Sequence, residues 1–469
     1  MKKIGIIGGG FTGTMTAVHL VEKCVAPCEI ILINEKITLN RGIAYNPYSE
    51  KHLLNVIAGK MSAFPEKPEH FLDWVMAQDA FKEKDRTLIE NSYLPRQLYG
   101  DYLATLWEEA KNTAKAKKLN LIVIKSEVVD MDVTDHSVSV RIADHSVMNF
   151  DYCVIASGNQ LPRNPRTLNM DFYTSKNYFQ NPWAIESVKD TTKDLPVLII
   201  GNGLTMVDTV LGLLEHGFKG PIYSISPNGF NILPHRNGIK YSKLVSELKP
   251  NLSLYELVKL VNKHIKTVRE YGLSAEPVID SLRPYTHTIW LSLTHEEKSK
   301  FIARLRHLWG VARHRIPLHS FDIIQQLRID GKLYINSGKL LNFTESETGI
   351  TVTYFDKKEN ATKTLIVSRV INCTGPDTDL MNLDKSFLKK CLLKGILVQD
   401  FFKLGIIADT NTFQVKNKDG ENHSNLFAIG PHLKGLLWES TAVNELRIQA
   451  EKLAEHLKFK AQETYTKNE

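Results

Sequence analysis

Two short, largely apolar runs, residues 4–7 and 197–200, each lead directly into a cluster of glycines. An apolar run of this length predicts a strand that is buried on both faces, as in a parallel sheet. The glycines that follow are Gly8, Gly10 and Gly13 in the first cluster, and Gly201 and Gly203 in the second. This order predicts two strand–turn–helix units, in which the backbone turns sharply and a helix packs close to its strand.

Each glycine cluster is followed, much further along the chain, by the same sequence of patterns. Residues 137–142 and 349–354 alternate between polar and apolar side chains, which predicts half-buried strands of a β-meander. Residues 151–158 and 370–375 then form apolar runs that end in small residues and glycine. The repeat predicts an α/β fold with two Rossmann-like dinucleotide-binding domains.

A further glycine segment near Gly430 predicts that the second domain is inserted into the first. We expect residues 1–170 and 350–469 to form the first, discontinuous domain, and residues 190–349 to form the second. Residues 240–318 are predicted to be a helical insertion, because 253–267 and 294–308 carry apolar side chains at helical spacing. Thr294 with Glu297 three residues later is typical of a helix N-terminus.

The first turn has the chemistry of an adenosine diphosphate site. The helix after Gly13 offers its N-terminal amides to a pyrophosphate. Glu35 closes the next strand-like run, residues 29–35, where a carboxylate can bind ribose hydroxyls. The second turn adds the hydroxyl of Thr205 to its two glycines, although Met206 stands where a third small residue is typical.

The strand after the second turn, residues 221–226, ends in Ser226 rather than in an acid. A carboxylate that would repel a 2′-phosphate is therefore absent, so NADPH is permitted as well as NADH. Arg236 is a candidate for that phosphate, with an ordinary exposed arginine as the alternative.

Composition is typical of a globular protein: of 469 residues, 43% are hydrophobic and 24% charged, and the net charge is +7. The small positive charge favours anionic ligands, but no nucleic-acid-binding motif accompanies it. No run reaches the ~20 apolar residues that span a bilayer, so we expect a cytoplasmic protein. We also expect its substrate to be a small molecule. Cys24 and Cys28 are four residues apart, which leaves a redox pair or metal half-site open beside two ordinary thiols. We predict no metal.

Several segments together resemble the family of FAD/NAD(P)-binding proteins of the YdhS type, whose substrates are largely unassigned. The resemblance implies FAD in the first domain and a nicotinamide nucleotide in the second. It also implies FAD contacts from Asn55, Ser62, Gly158, Gly430 and Thr441. The segments that carry it are 42–45 (GIAY), 52–56 (HLLNV), 61–62 (MS), 95–96 (PR), 99–103 (YGDYL), 203–208 (GLTMVD), 313–315 (RHR) and 438–442 (WESTA).

Residues 95–102 are also similar to a segment of the flavin-dependent amine N-hydroxylases. This likeness favours a monooxygenase that forms a C4a-hydroperoxyflavin and hydroxylates a small polar substrate, with an amine as the leading candidate. Arg96 is then a candidate catalytic residue. Trp438, which precedes the predicted flavin-facing helix, is a second candidate, with core packing as the alternative. Arg313 and Arg315 are candidates for a substrate pocket, or equally for a structural ion-pair cluster.

Two other functions remain open. The first is an FAD/NAD(P)H dehydrogenase or reductase that inserts no oxygen. The second is a non-catalytic, flavin-binding regulatory protein, which is favoured by Met206 and by the absence of histidine from residues 172–183.

Overall fold

The computed structural model describes residues 1–24, 27–35, 39–191, 195–236, 239–384 and 386–466, with side chains as far as residue 460. The chain divides into two compact units. Unit 1 comprises Met1–Pro47, Val56–Asn159 and Thr378–Glu469, and unit 2 comprises Tyr48–Asn55 and Gln160–Asp377.

The strands, in chain order, are β1 (Lys2–Ile7), β2 (Cys28–Ile33), β3 (Asn120–Ile124), β4 (Val128–Val133), β5 (Val138–Ile142), β6 (Val147–Phe150), β7 (Tyr152–Ile155), β8 (Tyr178–Phe179), β9 (Val197–Ile200), β10 (Ile222–Ser226), β11 (Leu333–Ser346), β12 (Gly349–Asp356), β13 (Ala361–Val367), β14 (Arg369–Asn372), β15 (Gln414–Lys416) and β16 (Asn422–Ala428).

The α-helices are α1 (Phe11–Lys23), α2 (His70–Met76), α3 (Arg86–Glu90), α4 (Arg96–Ala116), α5 (Leu204–Glu215), α6 (Lys243–Glu247), α7 (Leu254–Glu270), α8 (Glu276–Ser281), α9 (Thr286–Ser292), α10 (His295–Lys300), α11 (Arg306–Arg313), α12 (Leu318–Ile329), α13 (Phe387–Leu393) and α14 (Val443–Thr466).

Unit 1 is built on a six-stranded sheet in the order β15-β16-β7-β1-β2-β3. All its neighbours are parallel except β15 and β16. A separate antiparallel sheet, β4-β5-β6, forms the predicted meander. Ile4 and Ile6 of β1 are completely buried, as expected for a central strand covered on both faces. Helix α1 follows β1 and packs against α14.

Unit 2 has a seven-stranded sheet in the order β13-β12-β11-β10-β9-β14-β8. The strands from β11 to β8 are parallel, whereas β11, β12 and β13 pair antiparallel. Helix α5 packs on β9 through an apolar core that includes Met206 and Val210. The predicted α/β fold with parallel sheets is therefore confirmed.

The predicted helical segment contains α6 to α11. Ser253 caps α7 and Thr294 caps α10, each in a reciprocal capping box with a glutamate three residues later. A π-helical turn, Phe301–Leu305, joins α10 to α11. The apolar faces of these helices form a small core around Leu244 and Val268, so the helical stripes seen in the sequence serve packing.

Two boundaries differ from the expected ones. Unit 2 ends at Asp377 rather than at residue 349, because β12, β13 and β14 belong to its sheet. Residues 48–55 also belong to unit 2. There His52 Nε2 donates a hydrogen bond to the carbonyl of Asp208 in α5, at 2.9 Å. Among the helices that the structure describes, none has a long enough apolar stretch to cross a bilayer.

Candidate dinucleotide-binding sites

The first glycine turn joins β1 to α1, and two of its glycines are required by the backbone itself. Gly8 has a φ of 108°, and its amide donates to the carbonyl of Ile33 at 2.8 Å. A Cβ on Gly8 would lie 2.4 Å from the carbonyl oxygen of Ala156, and a Cβ on Gly13 would lie 1.9 Å from that of Gly8. Glycine at both positions lets the helix and the strands approach each other.

Gly10 is different, because the protein does not need glycine there. Its φ of −80° and ψ of −167° are accessible to any residue. The nearest described atom to a Cβ would be Cα of Gly42, at an ordinary contact distance of 3.7 Å. Gly10 is also the N-cap of α1, whose first amides point outward with no partner inside the helix. The missing side chain therefore leaves room for a ligand at the positive end of the helix.

The segment that resembles the N-hydroxylases lies against the loop that covers this turn. Asn40 donates its amide to the carbonyl of Gly9 at 2.8 Å, and Arg41 forms an ion pair with Asp101 of α4. A Cβ on Gly100 would lie 2.3 Å from the carbonyl oxygen of Tyr45. Helix α4, which begins at Arg96, is thus held against the covering loop.

An aromatic cluster stands beside the first turn. The rings of Tyr45 and Tyr99 are 4.6 Å apart, and Phe11, the first residue of α1, lies 6.3 Å from Tyr99. Tyr99 is fully buried, and its hydroxyl has no hydrogen-bond partner among the described residues. Burial holds the pKa of Tyr99 well above its usual value. A buried phenol without a partner is unfavourable unless a bound group supplies one.

The ends of β7 and β16 bring two further predicted glycines to the same edge of the sheet. Gly158 and Gly430 have φ values of 74° and 86°. The amide of Gly430 donates to Gln449 Oε1 at 2.9 Å, and a Cβ on Gly430 would lie 3.3 Å from Oγ1 of Thr12 in α1. No described atom lies within 4 Å of a Cβ on Gly158, so the space beside it is open.

His432 is a residue of this edge that the sequence analysis did not identify. A 2.8 Å hydrogen bond joins its Nε2 to Oγ of Ser157, although the two residues are 275 positions apart. Burial lowers the pKa of His432 to about 4, so the ring is neutral near pH 7. Its place two residues after Gly430 was the available signal.

Other predicted contacts of unit 1 occupy varied surroundings. Glu35 is exposed and follows β2 at the carboxyl edge of the sheet, where an acid for ribose hydroxyls is expected. Ser62 is fully buried, and its hydroxyl donates to the carbonyl of Lys67 at 2.6 Å. Trp438 is buried with the ammonium of Lys434 5.6 Å from its ring centroid, whereas Thr441 is exposed.

Asn55, a predicted FAD contact, belongs to unit 2. Its carbonyl accepts a hydrogen bond from Nε2 of His235 at 3.0 Å. Burial, together with the charge of Arg315, lowers the pKa of His235 to about 4. The Asn55 backbone is therefore bonded to a neutral histidine.

The second turn lies between β9 and α5. As in the first turn, one glycine is required by the backbone and another is not. Gly201 has a φ of 100°, and a Cβ there would lie 2.6 Å from the carbonyl oxygen of Cys373. Gly203 caps α5 with a φ of −85°, and no described atom lies within 4 Å of a Cβ. Thr205 follows in the first turn of α5. Gly203, like Gly10, leaves space that the protein does not fill.

Ser226 ends β10, the next parallel strand, as predicted. It is buried, and its Oγ accepts a hydrogen bond from the amide of Gly229 at 3.0 Å. Arg236 is largely exposed and has its Nε 3.9 Å from Glu276.

Arg315 is buried and forms ion pairs with Glu276 and Asp280, one from each terminal nitrogen. This arrangement fits the structural ion-pair cluster, because two carboxylates already use the guanidinium fork. Arg313 is buried at the end of α11. Across the described residues, no group of three or more histidines, cysteines or acids could hold a metal ion.

The chain is similar to known proteins in sequence and in fold. Residues 5–160 match the model of a family described as FAD-NAD(P)-binding. Over 229 residues, the chain is 26% identical to the uncharacterised protein YdhS of Escherichia coli, a match that covers 46% of this chain and 40% of that relative. The chain thus matches less than half the length of that relative.

Solved structures share the fold along the whole chain. The ornithine N-hydroxylase of Kutzneria sp. 744, solved with reduced FAD, NADP⁺ and L-ornithine, has 13% identity and a TM-score of 0.66, covering 98% of this chain and 99% of that one. The bacillithiol disulfide reductase of Staphylococcus aureus has 14% identity and a TM-score of 0.52, with the same coverage. The predicted resemblance to YdhS and the predicted cofactor classes, FAD and a nicotinamide nucleotide, are confirmed by these matches.

Proposed function

We propose that this protein is an FAD-dependent, NAD(P)H-using monooxygenase that hydroxylates a small polar substrate, with an amine as the leading candidate. One observation carries the dinucleotide part of the proposal. Gly10 and Gly203 cap two different helices with ordinary backbone angles, and the protein has room for a side chain at both. Two ligands that need close backbone approach account for both glycines.

The chain's own residues have distinct tasks in this proposal. The N-terminus of α1 and the carboxylate of Glu35 hold the adenosine diphosphate of FAD, and the N-terminus of α5 holds that of the nicotinamide nucleotide. A bound flavin supplies hydride acceptance and oxygen activation. The buried rings of Phe11 and Tyr99 exclude water beside the first turn, which oxygen transfer needs more than simple reduction does.

In this proposal Arg96 binds an anionic group of the substrate or the cofactor near these aromatic rings. It begins α4, and its positive charge acts on the ring of Tyr45, where it opposes the rise in pKa that burial causes. A guanidinium can bind a carboxylate or phosphate through two parallel hydrogen bonds. An amino acid such as the L-ornithine of the Kutzneria structure has both a carboxylate for such a contact and an amine to be hydroxylated.

The alternative is an FAD/NAD(P)H reductase without oxygen insertion, and the similarity to bacillithiol disulfide reductase is the observation that favours it. Cys153, Cys373 and Cys391 do not favour a dithiol mechanism, because burial raises the pKa of each thiol. Cys24 and Cys28 are both buried, and the hydrogen bond between them lowers the pKa of Cys24 and raises that of Cys28, so this pair stays open as a redox pair. A regulatory flavoprotein and a cytoplasmic location stay predictions.

The fate of oxygen distinguishes these functions. The purified, FAD-loaded protein is first mixed with NADPH or NADH without oxygen, and flavin reduction is followed at 450 nm. Reduced protein is then given oxygen with L-ornithine, L-lysine or cadaverine, and hydroxylamine and hydrogen peroxide are quantified. We expect one amine to yield hydroxylamine with little peroxide. Peroxide equal to the NADPH consumed, with every amine, would support the reductase, and no flavin reduction at all would support the regulatory protein.

A further inference from the structure

The turn after β10 is where a Rossmann domain distinguishes the two nicotinamide nucleotides, because the adenosine ribose lies at the end of its second strand. In this chain the turn is Ser226, Pro227, Asn228 and Gly229. None of these residues is basic or acidic. A positive charge for a 2′-phosphate must therefore come from another part of unit 2.

The hairpin between β12 and β13 places Lys357 at this turn. Asp356, the last residue of β12, pairs with Gly338, and the amide of Lys357 donates to the carbonyl of Ser337 at 2.9 Å. Ser337 is in turn the register partner of Ser226 in the parallel pair β10 and β11. Lys357 thus starts two strands away from Ser226, roughly 10 Å by normal strand spacing, and its side chain extends back across β11.

The lysine side chain reaches the turn. Nζ of Lys357 donates to the carbonyl of Pro227 at 2.7 Å. Ser337 Oγ donates to the same carbonyl at 3.2 Å, and the turn packs so closely that a Cβ on Gly229 would lie 2.9 Å from Cβ of Ser337. The ammonium of Lys357 therefore lies at the carbonyl of Pro227, the residue that follows Ser226.

The charge of Lys357 is available to a ligand. Its neighbour Asp356 is already satisfied by the backbone amides of Lys358 and Glu359, at 2.9 and 3.1 Å, and by the ammonium of Lys363 at 3.3 Å. Lys357 itself forms no ion pair within the described residues and is exposed. One of its three ammonium donors is used by a neutral carbonyl, which leaves two donors and the full charge.

We propose that Lys357 binds the 2′-phosphate of NADPH and so sets the preference for NADPH over NADH. The inference rests on the proposed use of a nicotinamide nucleotide by unit 2. It gives the phosphate a basic partner on the β12–β13 hairpin, which the turn at residues 226–229 does not itself contain. Arg236, the candidate from the sequence, lies instead near Glu276.

The test measures binding and needs no turnover. The FAD-loaded protein is titrated by calorimetry with 2′,5′-ADP, which carries the 2′-phosphate, and with 5′-AMP, which lacks it. Lys357→Met keeps the length and the apolar stem of the side chain but removes the charge. Lys332→Met is the matched control, since Lys332 is also exposed but precedes β11, next to the amino end of β10 rather than the carboxyl end that holds Ser226. Arg236→Met tests the competing arginine.

We expect the wild-type protein to bind 2′,5′-ADP more tightly than 5′-AMP, with a preference that falls as salt is raised. Lys357→Met should weaken the binding of 2′,5′-ADP about tenfold. This loss is at the lower end of the range for a hydrogen bond to a charged group, because the site is exposed. Its 5′-AMP affinity should stay near that of the wild-type protein, and Lys332→Met should behave as wild type.

Three results would overturn the inference: equal wild-type affinity for the two ligands, an unchanged preference in Lys357→Met, or loss of the preference in Arg236→Met alone. Failure of the proposed function would give a different result. In that case the protein binds 2′,5′-ADP through Lys357, but NADPH does not reduce the bound flavin. This outcome would refute the oxidoreductase and leave the Lys357 site intact.

Discussion

Valine at position 203 should separate nucleotide binding from folding. Gly203 has backbone angles that any residue adopts, and no described atom lies within 4 Å of a Cβ there. The remaining penalty is that of a poorer N-cap, about 1 kcal/mol. Gly201→Ala, two residues earlier, is the contrasting change, because its φ of 100° and the 2.6 Å approach to Cys373 require strain. That strain and the overpacking are each worth about 1–3 kcal/mol.

Gly203→Val should weaken nucleotide binding much more than it lowers the stability of the fold. A valine side chain at Gly203 would occupy the space through which a pyrophosphate reaches the first amides of α5. Loss of two charged hydrogen bonds removes about 3 kcal/mol or more, which is roughly 100-fold in affinity. We therefore expect Gly203→Val to unfold near the wild-type urea midpoint and to keep its FAD, while NADPH reduces that flavin with a much higher apparent Kd.

The assay combines urea unfolding, flavin content and anaerobic stopped-flow reduction across a range of NADPH concentrations. Gly310→Ala is the control, since that helical glycine also has open space around a Cβ but is part of α11 and of neither glycine turn. Wild-type apparent affinity for NADPH in Gly203→Val would refute the assignment of the second turn. A large loss of stability in that variant would refute the claim that the protein does not need glycine there.

Three other predictions follow from unit 1. Gly10→Val should be purified with little FAD yet remain folded, because only a ligand needs the space at Gly10; the ratio of absorbance at 450 and 280 nm measures this, and full flavin content would count against the site. Arg96→Lys keeps the charge but loses the guanidinium fork, so FAD content should stay normal while more hydrogen peroxide is released per NADPH; unchanged coupling would remove Arg96 from the mechanism. The pKa of His432 falls from 6.5 to about 4 on folding. As the pH falls, His432 is therefore protonated in the unfolded chain before it is protonated in the folded protein, and the free energy of unfolding decreases between pH 6.5 and about 4. His432→Gln should reduce that loss by on the order of 3 kcal/mol in urea titrations at the two pH values, and an identical pH slope in the variant would contradict the burial argument.

The sequence was sufficient for those parts of the fold that depend on local pattern. The apolar runs before Gly8 and Gly201 are β1 and β9, and the alternating runs are β5 and β12. The capping residues of α7 and α10 could also be identified, because a capping box is formed by residues three apart. Because each glycine turn follows a strand, the sequence also placed Glu35 after β2 and Ser226 at the end of β10, at the carboxyl ends of parallel strands.

The remaining site residues depend on contacts between distant segments. Ser157 and His432 meet only because β7 and β16 are neighbours in the sheet. Lys357 reaches Pro227 because β11 and β12 form a long hairpin next to β10. A periodic pattern predicts that a strand exists but not which strand lies beside it, so such pairs could not be found from one sequence. The boundary at Asp377 was missed for the same reason, since only sheet pairing assigns β12 to β14 to unit 2.

Met206 bears on whether the second nucleotide turn is functional. In the first turn, the residue three after Gly10 is Gly13, which must be glycine because a Cβ would lie 1.9 Å from the carbonyl of Gly8. The same position after Gly203 is Met206, and its side chain is buried in the core that joins α5 to β9. Methionine adapts well to irregular gaps, so α5 packs on its strand while the turn keeps both glycines. The third small residue serves helix packing, whereas Gly203 leaves space that the protein does not fill. Met206 therefore gives no support to a second site that has lost nucleotide binding, and the regulatory alternative depends on whether NADPH reduces the flavin.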